Sequence, residues 1–137
     1  MRCSILNSIF IMKLHPDTIQ VQSISGYGAG WISVGTDKII TSVVIGSGGE
    51  RFDWNCTSFA ELSEAHFAQL ASLQTELVIF GSGRQIRFPQ GAWLKPLIDK
   101  RIGIETMDTQ AACRTYNILA SEGRKVAVAL LMETTEG

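Results

Sequence analysis

In the first half of the chain, short runs of alternating apolar and polar residues are broken by glycine. Ile19 to Ile24 reads as a short strand, and Trp31 to Val34 as a second. Between them Ser25-Gly26-Tyr27-Gly28-Ala29-Gly30 carries too much glycine for regular structure and is expected to be a turn or bulge. Gly35-Thr36-Asp37 predicts a tight turn, and the β-branched run Lys38 to Ile45 predicts one long strand. Gly46 to Gly49 ends it, with a short strand at Arg51 to Trp54 beyond.

The period then changes. Phe67, Leu70, Ala71 and Leu73 recur at helical spacing, with capping-box spacing at Ser58 and Glu61 and a second N-cap candidate in Ser63. Leu77 to Phe80 is a buried-strand run that ends in Gly81-Ser82-Gly83. Gln85 to Phe88 is a candidate short strand. Trp93, Leu94, Leu97 and Ile98 outline a helix that Pro96 is expected to kink or delay. Ile102 to Thr106 alternates as a strand. Asp108 caps a helix to about Glu122, with Gly123 just past its end, and Val126 to Leu131 closes the sheet.

Strand, helix, strand, helix, strand is the order that produces parallel neighbours. The expected fold is therefore α/β: one domain with a mixed β-sheet and helices packed on it, the meander adding antiparallel strands. The domain is placed at residues 13–132, with 133–137 as a flexible tail. Residues 1–12 read as a disordered leader or a mis-called start ahead of Met12; an amphipathic surface segment and a weak signal peptide are the other readings, the last opposed by Ser4, Asn7, Ser8 and the lack of a small-x-small cleavage site. This apolar stretch is shorter than the roughly 20 residues that cross a bilayer, so no transmembrane segment is expected.

Composition narrows the function classes. Apolar residues make up 45% and charged residues 18%, as in an ordinary globular chain, and 12 basic against 13 acidic residues leave a net charge of −1. That balance argues against nucleic acid as a partner, and only a local patch of Arg84, Arg87, Lys95, Lys100 and Arg101 could reverse it. Cys3, Cys56 and Cys113 are odd in number and widely spaced, which suggests reduced thiols and a cytoplasmic protein. His15 and His66 lack metal-ligand spacing, and no phosphate loop, zinc-protease or serine-nucleophile motif occurs. Neither a metal nor a cofactor is called for.

One place for chemistry follows from topology. If Leu77–Phe80 and Ile102–Thr106 are parallel neighbours, Gly81-Ser82-Gly83 and Met107-Asp108-Thr109 leave the same sheet edge, where open α/β sheets bind ligands. Ser82 and Arg84 could hold an anion, and the glycines would let backbone N–H groups approach it; the same turn could equally do no more than end a strand. Asp108 could be a general base or ligand contact, or simply a helix cap. Cys113 could be activated by the helix start and Arg114, or be a buried thiol. Trp31, Trp54 and Trp93 are expected in the core.

The run from Gly103 to Leu119 (GIETMDTQAACRTYNIL), continued by Glu122-Gly123-Arg124-Lys125-Val126, resembles a family of small single-domain proteins of unknown function. Ile79-Phe80-Gly81-Ser82-Gly83 and the following Pro89 match its pattern too, and the resemblance spans about Ile19 to Met132. That family includes a mitochondrial complex I assembly factor and an adipogenesis-associated Mth938-type domain protein. The resemblance implies a three-layer α/β fold with a β-hammerhead-like first half, and no known reaction. Gly81, Ser82, Gly83, Asp108, Thr109, Thr115, Asn117 and Arg124 fall on its shared motifs, and Arg84 joins them from the crevice argument. It implies a non-catalytic interaction protein with a protein partner, in the manner of an assembly factor. The alternative is a small-molecule-binding protein or enzyme that uses the crevice. Oligomeric state is not legible.

Overall fold

The computed structural model describes residues 21–133. The expectations for residues 1–12, for the start of the first strand and for the tail past Glu133 lie outside them.

The chain opens on a small antiparallel sheet: β1 (Gly26–Gly28), β2 (Trp31–Val34) and β3 (Asp37–Ile39), in that order. The glycine-rich stretch is thus a strand, contrary to expectation. Gly26 and Gly28 pair with Ser33 and Trp31, and a Cβ on Gly28 would lie 2.4 Å from the Trp31 indole nitrogen. Glycine is there because the Trp31 ring lies across it. The strand expected to start at Ile19 is not one from Val21 on. That segment runs irregularly, held by hydrogen bonds to side chains.

The expected long strand Lys38–Ile45 is two strands in two sheets. β3 ends at Ile39, Ile40 is 64% exposed, and β4 (Val43–Gly46) enters the main sheet. Ser42 fixes the step: its hydroxyl accepts the Met132 N–H at 2.8 Å, and its carbonyl accepts the Trp54 N–H. The meander consequently forms a sheet of its own, where one mixed sheet was expected.

The main sheet has order β5-β4-β8-β6-β7, with β5 (Arg51–Asp53), β6 (Leu77–Gly81), β7 (Gly103–Met107) and β8 (Val126–Leu130). β8 runs parallel to β6 and antiparallel to β4, and β6 and β7 are parallel, so the sheet is mixed as expected. Helices α1 (Glu64–Ala71) and α2 (Lys95–Asp99) cover one face. There Trp54 meets Phe67 and Phe80 edge-on and Trp93 stacks on Phe67. On the other face α3 (Thr109–Ser121) and the small sheet bury Ile32, Ile45, Ile79, Tyr116 and Val128. The result is three layers.

Local chemistry sets the ends of these elements. Ser63, not Ser58, caps α1, sharing its hydroxyl with His66 Nδ1, while the Glu61 carboxylate accepts the Thr57 N–H. Pro96 sits in the first turn of α2, where no donor is missed, so it produces no kink. Gln85–Phe88 is not a strand: the Ser82 hydroxyl donates to the Gln85 carbonyl and accepts the Arg87 N–H, folding this segment into a loop. Among the described residues no helix is long and apolar enough to cross a membrane.

Candidate functional site

β6 is followed by α2 on one face of the sheet and β7 by α3 on the other. The two strands are neighbours, so their departing loops separate and a crevice opens at the C-terminal edge. A cleft of about 370 Å³ lies there. Its walls come from the β1–β2 turn (Gly28, Ala29, Gly30), the loop after β6 (Gly83, Arg84), the start of α3 (Asp108, Thr109, Gln110, Arg114) and the segment after β8 (Leu131, Met132, Glu133).

The residues singled out in the sequence fall into three groups. Gly83, Arg84, Asp108 and Thr109 line this cleft. Gly81 and Ser82 lie just behind it, fully buried. A Cβ on Gly81 would press on Leu130, Ala112 and the Thr109 Cα, so this glycine lets α3 sit close to β6. Gly83 has φ +103°, and a Cβ there would lie 2.7 Å from a Glu133 carboxylate oxygen. The amides of the turn after β6 are occupied: Ser82 N–H donates to the Met107 carbonyl and Gly83 N–H to the Thr109 hydroxyl, each at 2.9 Å. The turn's backbone therefore does not reach toward a ligand, and an anion would have to be gripped by side chains.

The other motif residues serve elsewhere. Asn117 binds the backbone of Ile24, and Thr115 lies half-buried on α3. Arg124 is at the opposite end of the sheet, 3.3 Å from Glu76, beside a second cavity lined by Ser47, Glu50 and Thr75.

Within the cleft, Asp108 caps α3, its Oδ1 accepting the Ala111 N–H at 2.9 Å. Arg114, in the second turn of α3, is kept protonated beyond its ordinary range first by the Tyr27 hydroxyl and then by Asp108. Arg87 pairs with Glu133 at 2.7 Å. Cys113 is buried against the sheet, and loss of solvent raises its thiol to about 12, so it is no nucleophile at neutral pH. Cys56 is likewise raised, to about 11, by burial. Among the described residues no three His, Cys, Asp or Glu side chains are grouped to hold a metal.

The β1–β2 turn and the segment after β8 were not singled out from sequence. Glycines alternating between Tyr27 and Trp31 were the available signal for the first, since a glycine leaves room for a cross-strand aromatic ring such as Trp31 to lie over the backbone. The second carries no motif.

Comparison with known proteins agrees with this architecture. Residues 24–131 match the family model described as "Protein of unknown function (DUF498/DUF598)". A bovine protein named NADH dehydrogenase [ubiquinone] 1 alpha subcomplex assembly factor 3 is 32% identical over 80 residues. The match takes in 57% of this chain and 44% of the relative, so the chain spans less than half of that protein. A Bordetella parapertussis crystal structure superposes with TM-score 0.77 at 34% identity, over 82% of this chain and 97% of the other. The solution structure of a Bordetella pertussis Mth938-like domain gives TM-score 0.76 at 30% identity, over 89% and 93%.

Proposed function

The chain belongs to the DUF498/DUF598 family, and from that premise we propose that it is an interaction protein that helps assemble a larger protein complex, a respiratory NADH dehydrogenase being the first candidate. The observation that carries the reading is the loop after β6. It leaves the Gly81-Ser82-Gly83 turn, is pinned at its base by the Ser82 hydroxyl, and presents Ile86 and Phe88 at 51% and 70% exposure. Large apolar side chains held outward on an ordered loop are what a partner's surface buries. The names of the sequence relatives support the same reading, by resemblance at modest identity.

Protein is therefore the proposed partner class, and the cytoplasm the proposed compartment, which suits the free thiols of Cys56 and Cys113. The test is capture of the tagged chain from its own cells with quantitative mass spectrometry, beside an Ile86→Ser/Phe88→Ser variant of equal stability. Co-enrichment of NADH dehydrogenase subunits that the double variant loses supports the reading. Equal recovery by both proteins, or none by either, overturns it.

A further inference from the structure

The arginines of this chain are not used alike. Arg51, Arg87 and Arg124 are each tied to a carboxylate, at 3.1, 2.7 and 3.3 Å. Arg84, Arg101 and Arg114 have no carboxylate within 4.0 Å among the described residues; of these, Arg84 and Arg114, the latter hydrogen-bonded to the Tyr27 hydroxyl, line the cleft at the sheet edge, from different walls. Arg84 comes from the loop after β6 and Arg114 from the second turn of α3.

Two negative side chains share the cleft, Asp108 and Glu133. Glu133 is matched by Arg87, and Asp108 has one oxygen committed to the helix cap. Against the single remaining carboxylate stand two guanidiniums, so the cleft carries an excess of one positive charge. Its other lining residues include Leu131 and Met132, which are buried and apolar, and the glycines of the β1–β2 turn. At about 370 Å³ the space is that of a small organic molecule rather than a bare ion.

We propose that this cleft binds a small organic molecule through a phosphate or carboxylate group held between the Arg84 and Arg114 guanidiniums. A guanidinium presents parallel N–H donors that match two oxygens of either group. The body of the ligand lies over Leu131 and Met132. Asp108 opposes the ligand's charge, and its work in the cleft is to cap α3. This inference is independent of the assembly role, because Ile86 and Phe88 are not among the cleft's lining residues.

The test is an amide chemical-shift titration of the full chain with inorganic pyrophosphate and, separately, malonate, at low ionic strength and again at 0.15 M salt. The two probes distinguish a phosphate ligand from a carboxylate one. Expected are saturable shifts confined to residues 28–30, 83–84 and 110–114, weakened at least tenfold in Arg84→Gln and in Arg114→Gln. Lys100→Gln, far from the cleft, leaves affinity unchanged, and Arg84→Lys, which keeps the charge but not the fork, weakens it less than Arg84→Gln. Asp108→Asn keeps the cap and removes the opposing charge, so it tightens binding a few-fold. Shifts spread over Lys38, Lys95 and Lys100 and unaltered by either glutamine variant would overturn the proposal, as would no saturable shift with either probe. So would weaker binding in Asp108→Asn, which would make Asp108 a ligand contact. If Arg114→Gln fails to fold, Arg84→Gln carries the comparison.

Discussion

Asn117 grips the backbone of Ile24 with both ends of its amide: Oδ1 accepts the Ile24 N–H and Nδ2 donates to the Ile24 carbonyl, each at 2.9 Å. This is the geometry of a strand neighbour, supplied by a side chain on a helix. One residue earlier, the Tyr116 hydroxyl donates to the Gln22 carbonyl. The chain entering the small sheet is thus fastened to α3 by side chains alone.

Asn117→Ala should therefore cost about 1–3 kcal/mol, since two partly buried backbone groups lose their partners. Asn117→Asp should cost at least as much, because its carboxylate would face the Ile24 carbonyl without a donor. Urea unfolding measures the loss, and hydrogen exchange should show the amide of Ile24 opening before the main sheet.

Asp108 at the N-cap of α3 should tolerate Asn and not Ala. Asparagine accepts the same Ala111 N–H, so Asp108→Asn should change stability by no more than about 0.5 kcal/mol, whereas Asp108→Ala should lose about 1 kcal/mol. Thermal and urea unfolding of the two variants side by side decides this. Equal losses in both would mean that the charge, and not the hydrogen bond, is what stabilises the helix.

Arg101 has φ +58°, the only non-glycine residue in the left-handed region among the described residues. It follows α2 in a Schellman arrangement, with Arg101 N–H on the Ile98 carbonyl and Ile102 N–H on the Leu97 carbonyl. Glycine is the usual residue there. Arg101→Gly should raise stability by about 0.5–1 kcal/mol, read as a higher urea midpoint at unchanged slope.

The two buried thiols make a paired prediction. Native Cys56 and Cys113 should react slowly with a thiol reagent at pH 8 and rapidly once the chain is unfolded. Both titrate higher in the fold than the ordinary thiol value of 9.0, at about 11 and about 12, because burial disfavours the thiolate. The folded state thus holds these protons more tightly. The stability they contribute is whole below about pH 9 and is lost as pH rises toward 11 and 12. Melting temperature followed from pH 8 to 11 should fall, and fall less steeply in Cys113→Ala.

The second half was the more legible in sequence, because its elements announce themselves locally. Asp108 and Gly123 bracket α3, and the apolar runs at Leu77 and Val126 are each long enough to be a buried strand. The first half depends on distant contacts. The break between β3 and β4 is held by Met132, some 90 positions away, and Gly26 and Gly28 are strand residues because of the Trp31 ring across from them. No local pattern carries either fact. The crevice at the ends of β6 and β7 followed from topology, but the occupied amides of Ser82 and Gly83 did not. Nor did the particular partners of Asn117 and Arg124, since hydrogen-bond partners are chosen by the fold and not by the motif.

The strand order of the main sheet has a consequence for how the protein comes into being. β8 lies at the centre, between β4 and β6, yet it is the last of the described strands along the chain. During synthesis the β4–β5 hairpin and the β6–β7 pair emerge as two ribbons whose inner edges, on β4 and β6, stay unpaired until β8 arrives. Val126 to Leu130 then zips both edges at once, antiparallel on one side and parallel on the other. The nascent chain must therefore keep the inner edges of β4 and β6 apart until residues 126–130 are made, and a chain cut short before residue 126 leaves both open as templates for other chains, beside the outer edges of β5 and β7 that the finished sheet keeps.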